Sequence, residues 1–423
     1  MAPAWKTALA AAILILGSGT ALARPGDKAW IASWGSAQMI PDGENALPAE
    51  ASRAVTLRQI VRLSAGGSEL RVRLSNRFGT RPLRIGAAHV ARAAKPGTAQ
   101  IRGGVPLTFA GSPGAVIPAG AEIYSDSVSL ALAPGADLAI SLYLPETPEP
   151  QTGHPGARAT SFLLAGSHVD DADLPGARTT TRWYLIADVE VAAPAGAATV
   201  VAIGDSITDG YGVKPEANSR WTDVFAARLR SNAATRGIGV LNAGIGGNRI
   251  LLDGSGPNLM ARFDRDVVAR SGVRWAIVLE GINDLGMLTR DAPATPAQHK
   301  ALVEEVIGAY RQLSARAHTH GIKLIGGTVM PFSGNGYYHP GPELEAARQA
   351  INTFIRTSGT FDAVIDFDRL MRDPMHPDRL APAYDSGDHL HPSEAGYRVM
   401  GEAVPLSLFT APAARTNASA IQR

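Results

Sequence analysis

Four short segments of this chain carry side chains suited to chemistry at a carbonyl carbon. Gly204-Asp205-Ser206-Ile207-Thr208-Asp209-Gly210 offers a hydroxyl nucleophile in a sharp turn, where a following helix N-terminus favours developing negative charge; Ser after Asp is equally an ordinary helix cap. Asn242-Ala243-Gly244-Ile245-Gly246-Gly247-Asn248 has glycines whose backbone N–H groups can approach a substrate oxygen closely, although such glycines also mark plain turns. Glu280-Gly281-Ile282-Asn283-Asp284 offers a side-chain amide as donor, in a pattern common in turns. Asp388-His389-Leu390-His391-Pro392 sets a carboxylate three residues before an imidazole. It can turn back to accept from Nδ1–H and leave Nε2 free as a base.

These segments need a scaffold that brings them together, and the hydrophobic pattern supplies one. Ala197–Ile203 is a continuous apolar run, as expected of a strand buried on both faces of a parallel sheet. Further strands are expected at Gly239–Ala243, Trp275–Leu279, Lys323–Val329 and Ala363–Phe367. Helical stripes lie between them: Trp221, Val224, Phe225 and Leu229; Leu302, Val303, Val306, Ile307, Tyr310 and Leu313; Leu344, Ala347, Ile351 and Phe354. Alternating strands and helices imply a three-layer α/β domain. In open sheets of this kind ligands bind beyond the carboxyl ends of the strands, where three of the four segments fall, the fourth lying in the final loop before a helix expected to start at Ser393. From Trp30 to Val191 the period is two, as in Leu70–Leu74, Asp137–Leu144 and Arg182–Ile186, with frequent turn signals and no helical stretch. That half is expected to be an antiparallel β-sandwich, joined through Ala193-Pro194-Ala195-Gly196.

The four segments, in this order, resemble the blocks of the SGNH/GDSL hydrolases, an esterase and lipase superfamily. The resemblance implies a flavodoxin-like α/β/α domain with a mostly parallel sheet. It makes Ser206 the nucleophile, with Asp388 and His391 completing a triad. The N–H groups of Ser206 and Gly247 and the amide of Asn283 become the oxyanion hole. Gly247 is preferred to Gly246 because it directly precedes the polar Asn248, and His391 to His389 because it alone has the Asp-x-x-His spacing. The sandwich looks like the jelly-roll-like accessory domain of some secreted bacterial members. The expected organisation is a signal peptide at 1–23, the sandwich at 24–193, the catalytic domain at 197–409 and a flexible tail at 410–423. Because the candidate residues all follow Ala197, a piece beginning there is expected to turn over small esters if it folds. Trp221, Phe332, Tyr337, Tyr338 and Tyr384 are candidates to line the mouth.

Composition narrows the alternatives. Basic and acidic residues number 40 and 38, with no long block of one sign, so no nucleic-acid partner is indicated. Cysteine is absent, which excludes disulfides, thiolate nucleophiles and Cys-ligated zinc. Lys6, the apolar run Ala8–Leu16 and Ala21-Leu22-Ala23 read as a cleavable export signal, with cleavage after Ala23; the run is short for a membrane span, so no stable membrane insertion is expected. Asp385, Asp388, His389 and His391 are the one set resembling metal ligands, but consecutive loop ligands rarely complete a catalytic site, so neither metal nor cofactor is expected. A lipase or acyltransferase on the same triad and a non-catalytic carbohydrate-binding protein are the alternatives to an esterase of small-molecule or carbohydrate esters.

Overall fold

The computed structural model describes residues 29–48, 54–147 and 150–410. The expected signal peptide and all of the expected tail beyond Thr410 lie outside the described residues. Two antiparallel sheets, of five and six strands, form the first half. Alternation does the work expected of it: in Gly67–Ser75, Leu70, Val72 and Leu74 are buried while the residues between them are only partly covered. They share one core with Leu57 and Val61 from Val55–Arg62 in the other sheet and with Leu138, Ile140 and Leu142 from Asp137–Leu144. The stretch Arg182–Ile186 departs from its expected single strand. Trp183–Tyr184 pairs with Gly153–His154, Leu185 turns out of extended geometry at φ 64°, and Ile186 opens a new strand running to Ala193. Period two does not reveal such a break, because burial continues unchanged across it.

The second half is a five-stranded, fully parallel sheet. In chain order its strands are Ala198–Gly204, Ile238–Gly244, Val273–Leu279, Lys323–Gly327 and Ala363–Ile365. Their spatial order is second, first, third, fourth, fifth, the flavodoxin-like arrangement with its switch point beside the first strand. All seven residues of Ala198–Gly204 are buried. The helices Trp221–Ser231 and Glu394–Ala403 pack on each other, and Pro296–Thr319 packs on Pro342–Thr357, giving a layer on each side. The fifth strand is shorter than expected. Asp366 caps the helix Phe367–Met371 by accepting from the N–H of Arg369, which takes Phe367 out of the strand.

The two halves are stitched together by buried polar contacts. The N–H of Ala32, on Ala29–Gly35, donates to Ser271 O at 3.1 Å and approaches Thr199 Oγ1 at 3.0 Å, while Ser64 Oγ donates to Ser33 O and accepts from Val240 N at 2.8 Å. Gly239 has to be glycine there, since a Cβ would sit 2.4 Å from Ala32 O. Arg270 reaches across to Asp188 at 2.5 Å, and both side chains are almost wholly buried. Among the described residues no helix is long and apolar enough to cross a membrane.

Candidate active site

The first parallel strand ends at Gly204 and the chain turns at once. Asp205 Oδ1 accepts from Ile207 N at 2.9 Å, and a helix of only four residues, Ser206–Asp209, ends at Gly210 in left-handed geometry. The helix is too short to contribute much of a dipole, so the turn itself, rather than the expected helix end, sets the position of Ser206. The Ser206 hydroxyl lies 2.8 Å from His391 Nε2, across 185 residues of sequence. His391 Nδ1 lies 2.6 Å from Asp388 Oδ2, and Asp388 Oδ1 accepts from the N–H groups of Leu390 and His391 and from Ser386 Oγ. Burial works against the Asp388 carboxylate, but these hydrogen bonds, led by the His391 side chain, hold its pKa well below the usual carboxylate range. An anionic Asp388 accepts from Nδ1–H and leaves Nε2 with a lone pair facing Ser206.

The neighbouring histidine goes elsewhere. His389, at φ 59°, turns outward with its side chain 53% exposed and pairs with Asp385 at 2.6 Å. The four potential metal ligands thus form two separate His–Asp pairs.

Asn283 is tied to the Gly247 loop through Asn248. Gly247, at φ 74°, is exposed, and neither its N–H nor that of Ser206 is a donor in the described loop backbone hydrogen bonds. Asn283 opens the helix Ile282–Thr289 and is almost fully buried; its Nδ2 donates to Asn248 O at 2.8 Å and its Oδ1 accepts from Tyr338 O–H at 2.6 Å. One partner takes each end of the amide, which fixes its flip and leaves one Nδ2 hydrogen uncommitted. Asp284 accepts from the N–H groups of Ile250 and Leu251 and so ties the same loop to the third strand's end.

Behind the turn sits Arg262, which sequence reasoning missed. Its guanidinium is fully buried and donates to Gly204 O, Ala243 O, Asn248 Oδ1 and Asp266, clamping the ends of the first two strands to the Gly247 loop. Three acids share the region. Burial pushes Asp205 up to about 7, against the hydrogen bond from Ile207, and Asp284 up to about 6, against those from Ile250 and Leu251. Burial, then the charge of Asp205, pushes Glu280 well above its ordinary value, and Glu280 Oε2 has no hydrogen-bond partner among the described residues.

Residues 202–399 match the profile of the GDSL-like Lipase/Acylhydrolase family. That segment is a GDSL-like acylhydrolase domain. Among solved structures, a GDSL-like lipase from Bacteroides thetaiotaomicron VPI-5482 is 18% identical, over 50% of this chain and 87% of that one, with a TM-score of 0.37. An acetyl xylan esterase from Geobacillus stearothermophilus is 23% identical, over 49% of this chain and 92% of that one, also at 0.37. Neither likeness assigns a substrate here. None of the curated proteins compared matches the chain.

The surroundings of the GDSL-like site differ from the expected mouth. Trp221 and Phe332 are core residues, Trp221 packing on Phe367, and Tyr338 is buried beneath Asn283. Tyr384 is only partly buried, and Tyr337 is exposed beside Arg290. The aromatic ring at the site is Tyr211, half-exposed and 4.1 Å from the His391 ring. The sandwich contributes as well. His154 Nε2 lies 3.0 Å from Asp209 Oδ1 in the nucleophile segment, and its Nδ1 lies 2.8 Å from Ala37 O. Arg220 donates to Ala157 O and Asp209 O, and Glu216 N to Arg158 O, so the loop 153–160 is held against the GDSL-like domain. Nothing in the spacing of these residues marks them, because the contacts join segments some 55 residues apart in sequence. A cleft of about 770 Å³ runs between this loop and the segments carrying Asp209, Gly246 and Ser255, within the usual range for small-molecule sites.

Proposed function

We propose that this protein is an exported serine esterase that hydrolyses carboxylic esters, small or carbohydrate-borne, through an acyl-enzyme on Ser206. The observation that carries the reading is the unbroken hydrogen-bonded series from Ser206 Oγ through His391 to Asp388. In this reading Ser206 Oγ attacks the carbonyl carbon as its proton passes to His391 Nε2, and Asp388 stabilises the resulting imidazolium. The carbonyl oxygen gains charge and is met by the N–H groups of Ser206 and Gly247 and by the free Nδ2 hydrogen of Asn283. His391 then gives its proton to the departing alkoxide, releasing the alcohol. Water, deprotonated by the same imidazole, cleaves the acyl-enzyme to the carboxylic acid and free Ser206. Export rests on the leader, with cleavage after Ala23, and the division at 24–193 and 197–409 is retained as the working domain assignment.

The test uses the mature protein beginning at Arg24. A fluorophosphonate probe is expected to label Ser206 one-to-one, and Ser206→Ala to lose both the label and turnover of p-nitrophenyl acetate. Undiminished turnover in that variant would overturn the assignment.

A further inference from the structure

The loop that the sandwich lays against the site carries a cation without a hydrogen-bond partner among the described residues. Arg158 is three-quarters buried, yet its Nε has no partner and no nitrogen of its guanidinium makes a hydrogen bond among the described residues. Its nearest carboxylate oxygen, Asp209 Oδ2, is 3.9 Å away, beyond hydrogen-bond reach. That carboxylate is already taken. His154 Nε2 lies 3.0 Å from Asp209 Oδ1, and its Nδ1 lies 2.8 Å from Ala37 O. Asp253, on the facing loop of the cleft, accepts from the N–H and amide of Asn258 at 2.8 and 2.7 Å. Arg158 is thus left without a hydrogen-bonded counter-ion among the described residues.

Its backbone is also in a costly state. Arg158 adopts φ 52°, a left-handed conformation that an unbranched L-residue rarely takes, and the hydrogen bond from Glu216 N to its carbonyl holds it there. The result aims the guanidinium over the Tyr211 ring, 5.9 Å from its centroid, and the centroid of that ring lies 4.1 Å from that of the His391 ring. The Tyr211 ring thus neighbours both the cation and His391.

We propose that Arg158 is a specificity-determining residue supplied by the sandwich, binding a carboxylate on the alcohol portion of the ester, such as an acylated uronic acid residue of an acidic glycan. The guanidinium fork matches a carboxylate with two parallel N–H···O bonds from its terminal nitrogens, which are not buried as Nε is. This rests on the ester-hydrolase reading of Ser206.

The experiment compares 4-acetoxybenzoate and 3-acetoxybenzoate with their methyl esters, which keep shape and remove the charge. The quantity read is the ratio of kcat/KM for charged over neutral ester. A wild-type ratio reduced by about tenfold or more in Arg158→Gln, and partly restored in Arg158→Lys, is expected for a charge-assisted contact. A merely structural Arg158 would lower both esters together and leave the ratio alone. A ratio that stays within about twofold in Arg158→Gln overturns the proposal, since that is too little for a desolvated ion pair. Absence of turnover on every ester together with absence of Ser206 labelling would instead overturn the underlying hydrolase reading, and this inference with it.

Discussion

Asn283 tests whether the site is built for a transition state or only for a turn. Its amide is gripped at both ends, by Asn248 O and Tyr338 O–H, which removes the rotational freedom a turn asparagine keeps. A fixed donor binds the tetrahedral oxyanion better than the planar ester, so its loss should appear in kcat rather than KM. Asn283→Ala is expected to lower kcat by about 10²–10³-fold with KM little changed. Tyr338→Phe should give a smaller fall of the same kind, because it frees the amide to rotate without removing it. Steady-state kinetics on p-nitrophenyl acetate, with circular dichroism as a check on folding, decides the matter. A folded Asn283→Ala within about threefold of wild type, far below a donor's usual worth, would remove it from the oxyanion hole.

At the scale of the strand ends, charge has been buried to hold geometry. Arg262 binds three strand-end or loop acceptors at once, while Asp205, Asp284 and Glu280 are packed nearby with raised pKa values. A carboxyl whose pKa is higher folded than unfolded keeps more protons in the native state. Its contribution to stability is complete below the unfolded value near 3.8 and is lost as pH rises through the folded value, about 7 for Asp205 and about 6 for Asp284. The Tm is therefore expected to fall between about pH 4 and 7. Asp205→Asn keeps the acceptor for Ile207 N and removes the charge, so it should flatten that fall. Thermal melts across this range check it, and a variant slope equal to wild type would exclude Asp205 as the source.

For the molecule as a whole, the sandwich is more than an appended unit. Removing it would strip Asp188 from Arg270, leaving that buried guanidinium with Asp266 alone, and would uncover Val240 N and Thr199. Uncovering that seam removes burial and hydrogen bonds from a domain whose whole stability is only about 5–15 kcal/mol. A chain beginning at Ala197 is thus expected to lack a native cooperative melt, contrary to what the placement of the four segments suggests. Circular dichroism with heating reads this directly. A native-like, cooperatively melting fragment that turns over p-nitrophenyl acetate at the wild-type rate would show that the seam and the loop 153–160 are dispensable.

The sequence alone determined what depends on local period and residue type. The run Ala198–Gly204 is apolar throughout because both faces of a parallel strand are covered, and Asp388 reaches His391 because three residues suffice for a side chain to turn back on its own backbone. The order of the segments likewise places Ser206, Gly247 and Asn283 after successive strands. Other features were decided by contacts between distant segments, which leave no periodic trace. Tyr211 rather than Trp221 flanks His391, since an exposed turn ring and a buried helix ring look alike in sequence. Arg262, His154 and Arg158 join the site only when strand ends, loop and sandwich close on one another. Which polar groups find partners there and which do not is determined only by the packed tertiary structure.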